Sequence, residues 1–142
     1  MKTKNCKTFL TISFLGCALA LSLLPQQAAA QAMSPMRGQV KSFADSFALK
    51  VYPANPYEHR IRVEVRVYDQ DFNPVKAQVS PANFTLAGRN SRAVNVVVPF
   101  LAGASDRKVR ICTESVPFPG QSKTTTNIKA QICGKFLAER VE

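Results

Sequence analysis

The chain has 142 residues, 46% of them hydrophobic and 20% charged, with a formal net charge of +10. That composition excludes a disordered tail, a collagen-like fibre and a coiled coil. The length suits one domain once a leader is set aside, and falls short of two.

Residues 1–30 read as a secretory leader. Lys2, Lys4 and Lys7 form a positive start, and Phe9 to Leu24 is an apolar run broken only by Thr11, Ser13 and Ser22. Ala28-Ala29-Ala30 supplies the small residues that signal peptidase needs, with Ala30-Gln31-Ala32 as a second candidate. Two other readings are an uncleaved anchor and a lipoprotein site at Leu15-Gly16-Cys17. Phe14 and Leu15 fit the second poorly, and the apolar run continues past Cys17. Cleavage would remove three positive charges and leave residues 31–142 as the mature domain. No later apolar run approaches the roughly 18 residues of a membrane span, so no integral membrane segment is expected after cleavage.

Export decides how the cysteines are read. Cys6 and Cys17 lie in the leader, and the mature chain keeps Cys112 and Cys133. A pair in an oxidising compartment is expected to form a disulfide, whereas a thiolate metal site lacks its third and fourth ligands.

The mature region reads as strands in sequence. Phe47, Leu49 and Val51 alternate with polar or small residues, and Ile61, Val63, Val65 and Val67 alternate with Arg60, Arg62, Glu64 and Arg66. Phe84 and Leu86 follow, then Val94, Val96 and Val98, then Val109 and Ile111, then Ile128, Ala130 and Ile132. Period-two alternation of β-branched residues marks half-buried strands. Turn residues punctuate the runs at Pro53 to Pro56, Asp69 to Pro74, Ala87 to Asn90, Ala102 to Ala104 and Pro117 to Gly120. About seven short strands in about 110 residues predict an all-β, immunoglobulin-like two-sheet sandwich in a single domain.

Parity assigns faces on the last two strands. Arg110, Cys112 and Glu114 share one face of the sixth. Lys129, Gln131, Cys133 and Lys135 share one face of the seventh, while Ile128, Ala130, Ile132, Gly134 and Phe136 share the other. A Cys112–Cys133 bridge between hairpin partners would fix the register. It would also set Arg110 opposite Lys135. Two facing cations either splay into water or hold an anion such as a carboxylate.

Catalytic sets are missing. His59, the single histidine, sits beside Glu58 and Arg60 and has no nucleophile or metal-ligand partner in sequence. Asp69, Asp71 and Asn73 mimic the start of a calcium loop, but Pro74 stands where that loop needs Gly and Ser80 where it needs Glu, so a turn is expected. Neither a phosphate-cradling glycine loop nor a Gly-x-Ser-x-Gly elbow is present. The expectation is therefore no enzyme, no cofactor and no metal. Asn83-Phe84-Thr85 matches a glycosylation sequon that would matter only in a eukaryotic secretory host. The basic excess at Arg60, Arg62, Arg66, Arg89, Arg92, Arg107, Lys108 and Arg110 would suit an anionic partner, but export argues against nucleic acid.

The order of features across residues 33–142 resembles the N-terminal immunoglobulin-like domain of PapD-like periplasmic pilus-assembly chaperones. Ser34-Pro35-Met36-Arg37 resembles the family's first strand with its anion-binding arginine. Val79-Ser80-Pro81, Phe84-Thr85-Leu86 and Ser91-Arg92 are similar to its middle strands. Cys112-Thr113-Glu114-Ser115-Val116-Pro117 and Cys133-Gly134-Lys135-Phe136-Leu137, with Arg140, resemble its last two. One subfamily joins those strands by a disulfide, and Cys112 and Cys133 match that placement.

The resemblance implies a periplasmic, non-enzymatic binder of protein subunits such as pilins, or of an usher, acting in fimbrium biogenesis by strand addition. It implies Arg37 and Lys135 as anchors for a partner's C-terminal carboxylate and Ile128, Ala130 and Ile132 as donor-strand residues. Three features depart from the pattern. The sequence ends at Glu142, where the family's second domain would begin. Thr124-Thr125-Thr126-Asn127 precede a modest apolar set, and Val141 follows Arg140 where Pro is usual. A secreted or periplasmic structural or adhesion-type immunoglobulin-like module is the alternative.

Overall fold

The computed structural model describes residues 32–116, 118 and 130–141. The leader with Cys6 and Cys17, Pro117, Pro119-Gly120, the Thr124–Asn127 run and Ile128 lie outside the described residues.

Nine strands form among the described residues. They are β1 (Ala32–Ser34), β2 (Arg37–Ser42), β3 (Ser46–Ala54), β4 (Ile61–Tyr68), β5 (Gln78–Ser80), β6 (Asn83–Leu86), β7 (Val94–Pro99), β8 (Asp106–Val116) and β9 (Gln131–Arg140). They build one sheet in the order β1-β3-β7-β5 and a second in the order β2-β9-β8-β4-β6. The all-β two-sheet sandwich expected from the alternation is thus present. The excess over seven strands has two sources. The first strand is split into β1 and β2, and the stretch before Pro81 forms the short β5 against β7.

The alternation places the core. In β4, Ile61, Val63, Val65 and Val67 are buried while Arg62, Glu64 and Arg66 point out. Val94, Val96 and Val98 of β7 are fully buried and meet Phe47 and Val51 of β3 and Val109, Ile111 and Phe136 of the other sheet. Each such side chain contributes about 1.5–3 kcal/mol on leaving water. Asn55 and Thr113 are the buried polar residues among the described ones, and Asn55 is satisfied by the backbone around it. Its side-chain amide donates to the carbonyls of His59 (2.8 Å) and Ala87 (3.0 Å), and its side-chain oxygen accepts from the Tyr57 N–H (3.0 Å). Gly88 is required beside it, since a Cβ there would lie 1.9 Å from the Glu58 carbonyl oxygen.

The chain changes sheets at Pro35. β1 pairs antiparallel with β3, and β2 then pairs parallel with β9 from Arg37↔Lys135 to Ser42↔Arg140. Proline has no N–H to give a ladder, which suits a crossing point. β9 runs on past Phe136 to Arg140, further than the alternation suggested.

Cys112 and Cys133 are directly opposed on β8 and β9 and disulfide-bonded, with Cα atoms 4.0 Å apart. Cys112 is 1% exposed and Cys133 half-buried, so the bridge is largely covered although parity sets it on the polar face of the two strands.

Candidate functional site

A row of cations crosses the outward face of the five-stranded sheet. Arg37 on β2 is the register partner of Lys135 on β9, and Lys135 is the register partner of Arg110 on β8. Tyr68 on β4 continues the row. Strands lie about 4.8 Å apart, so the row spans about 10 Å from Arg37 to Arg110. Arg37 and Lys135 are exposed and Arg110 is half-buried. Neighbouring carboxylates are spent elsewhere: Glu139 on Lys41, Glu64 on Arg66 and Asp45 on Arg140. Among the described residues, no carboxylate pairs with Arg37, Lys135 or Arg110.

Local sequence explains why Arg37 arrives there. The Lys135 N–H donates to the Met36 carbonyl (2.9 Å). That approach depends on Gly134, where a Cβ would lie 3.1 Å from the Met36 oxygen and 2.9 Å from Met33 Cε. Beyond this point Arg37, Gly38, Gln39, Lys135, Phe136 and Leu137 line an open groove of about 530 Å³.

The same hydrogen bond fixes the backbone parity of β9. The N–H groups of Lys135 and Val141 both point to the β2 side, towards Met36 and Ser42. Gln131 and Cys133 share that parity. β2 begins only at Lys135, so among the described residues no strand pairs with Gln131–Gly134 on that side. The upstream half of β9 is therefore an open edge, in line with β2, and it ends where Arg37 and Lys135 stand. Of the proposed donor residues, Ile132 is half-buried and packs partly against the core, and Ala130 lies just ahead of β9, its carbonyl accepting from the Ser115 N–H (3.1 Å). Ile128 is outside the described residues.

Arg110 has partners that sequence reading missed. Its Nε donates to the Gln70 carbonyl (3.3 Å), and its guanidinium lies 4.6 Å from the centre of the Phe72 ring. Phe72 is 51% exposed with φ at 62°, a left-handed conformation that costs a bulky residue about 1–3 kcal/mol. The turn is held by Asp69, whose carboxylate accepts from the N–H groups of Asp71 (2.8 Å) and Asn73 (2.9 Å) and from the Asn73 amide (3.0 Å). Those bonds, the Asn73 side chain's foremost, hold the Asp69 carboxyl below the usual carboxylate range. The Asp-x-x-x-Asn spacing carried the signal for a turn, but not for the ring it presents.

His59 is exposed and stacks on Tyr57 at 5.2 Å. No group of three or more metal-ligating side chains exists among the described residues, and no described helix is long and apolar enough to cross a membrane.

No protein-family model and no curated protein matches the chain. Solved structures do match in fold. The Escherichia coli chaperone DraB matches with a TM-score of 0.64 at 16% identity, over 77% of this chain and 54% of its own. The Salmonella enterica SafB chaperone, solved in complex with the SafA pilin, matches with a TM-score of 0.65 at 17% identity, over 81% of this chain and 56% of its own. WR4, an MSP family member from Caenorhabditis elegans, matches with a TM-score of 0.53 at 9% identity, over 80% of this chain and 100% of its own. The fold is thus the immunoglobulin-like sandwich found in pilus-assembly chaperones, and this chain carries a disulfide between β8 and β9. The chain spans about half the length of the chaperones it matches.

Proposed function

We propose that the chain is a non-enzymatic protein-binding module of the pilus-chaperone type, exported to the periplasm as residues 31–142 after loss of its leader. It binds a partner subunit by adding the open edge of β9 to the partner's sheet, and it holds the partner's C-terminal carboxylate between Arg37 and Lys135.

One observation carries this reading: among the described residues, the strand edge at Gln131–Gly134 is unpaired and ends where two cations without a carboxylate partner stand side by side. A partner strand paired with that edge lies in line with β2. For its C-terminus to reach Arg37 and Lys135 it must run parallel to β9, as β2 does. Main-chain bonds then supply affinity, and charge-assisted bonds to the carboxylate set the stopping point. The likeness to the SafB chaperone, solved with a pilin, supports a protein partner.

The test is capture from periplasmic extract by tagged protein. Wild type retains a pilin-like subunit, and Arg37→Ala or Lys135→Ala weakens retention by roughly 1.5–3 kcal/mol, or about 10–100-fold. Unchanged capture in both variants overturns the anchor. The second reading is a structural or adhesion-type immunoglobulin-like module, and the fold shared with WR4 is compatible with it. Recovery of no specific partner would support that one.

A further inference from the structure

We propose that Arg110, braced by Phe72, is a second anion subsite beside the anchor, and that it selects partners whose last residue is acidic. The inference rests on the anchor reading above, because the subsite is defined by its place next to Lys135.

Three observations meet here. First, Arg110 and Lys135 are directly opposed, two pairs along from the Cys112–Cys133 bridge. Antiparallel pairs alternate in type, so they share its close, non-hydrogen-bonded geometry. The Lys135 N–H, which turns to Met36 instead, agrees. Like charges so placed repel unless an anion joins them. Second, one carboxylate between Arg37 and Lys135 leaves a row of three cations under-neutralised. A second carboxylate one strand further on, about 4.8 Å away, is within reach of an aspartate or glutamate side chain on the same terminal residue. Third, Arg110 is already oriented. Nε is engaged by Gln70 and the guanidinium plane is backed by Phe72, while its terminal amino groups have no partner among the described residues. The exposed ring gives one apolar wall, which strengthens a charge pair formed against it. The fork geometry of arginine suits a carboxylate.

The probe is a set of fluorescent nine-residue peptides of alternating Thr and Val, ending in Glu or Gln, each as free acid and as amide. Affinity is read by anisotropy against wild type, Arg110→Gln, Phe72→Ala and Arg37→Ala. The expected result is that wild type prefers the Glu acid over the Gln acid by about tenfold. Arg110→Gln lowers the affinity for the Glu acid to the level of the Gln acid, and Phe72→Ala reduces the preference. Equal binding of the two acids by wild type, or a preference that survives in Arg110→Gln, overturns the subsite. If amidation and Arg37→Ala still weaken both peptides in that case, the anchor stands and only the subsite falls. If neither amidation nor Arg37→Ala matters, the anchor fails and the subsite with it.

Discussion

The two halves of β9 belong to one continuous strand and sit in different surroundings. From Lys135 to Arg140 the strand lies between β2 and β8 and uses its backbone on both sides. From Gln131 to Gly134 its one strand neighbour among the described residues is β8, through pairs that include the disulfide. The downstream half is therefore part of the sandwich. Among the described residues, the upstream half is held in place by one neighbouring strand and a covalent clip, and no strand pairs with its other side. A single strand can thus be scaffold at one end and binding surface at the other, and the boundary is set by where β2 begins.

Removing a side chain from each half tests that contrast most strongly. Phe136 is 3% exposed in the core, and Phe136→Ala should cost about 3–5 kcal/mol in urea unfolding. Ile132 is half-buried, and Ile132→Ala should cost about 1–2 kcal/mol. Equal losses would mean that the upstream half is as much core as the downstream half.

The clip comes next. Cys112 and Cys133 are 21 residues apart in sequence, so replacing both with Ala should cost about 3 kcal/mol through loop closure. Hydrogen exchange should then accelerate in Gln131–Gly134 before it does in Phe136–Ala138. Uniform acceleration would show that β8 pairing alone holds both halves equally.

A proline pair gives the finest comparison. The N–H of Leu137 shares the parity of Lys135 and turns to β2, so Leu137→Pro should cost about 3 kcal/mol or more. The N–H of Gln131 faces the open side, and proline is tolerated on strand edges, so Gln131→Pro should cost under about 1 kcal/mol. The same variant should abolish partner capture, since it removes an edge donor. Retained capture with Gln131→Pro would show that the partner does not use this edge.

How much of this was legible in sequence depended on locality. The facings of β4 and β8 follow from period-two alternation, and so does the opposition of Arg110 to Lys135 once Cys112 is set against Cys133. These are relations within a strand or between hairpin neighbours. Arg37 came to the site only through resemblance to a family. Its pairing with Lys135 joins two residues far apart in sequence in a parallel ladder, which no local pattern encodes. Phe72 was missed for another reason. The turn was readable from Asp69 and Asn73, but the direction of its side chain depends on a left-handed backbone at one position. Asn55 read only as turn punctuation, because the carbonyls it satisfies belong to residues that tertiary packing brings over it.

The cation row has a consequence for the protein's behaviour among its own copies. An open strand edge is as ready to accept an identical edge as a foreign one, and in a crowded compartment identical edges are the more numerous. Two copies laid edge to edge along Gln131–Gly134 would each bring a row of Arg37, Lys135 and Arg110 to the ends of that contact with no carboxylate among the described residues to neutralise it. Repulsion between them discourages self-association, while a strand that ends in negative charge is drawn in from a distance. The same three side chains would thus make the edge a poorer match for its own copy than for a strand of opposite charge.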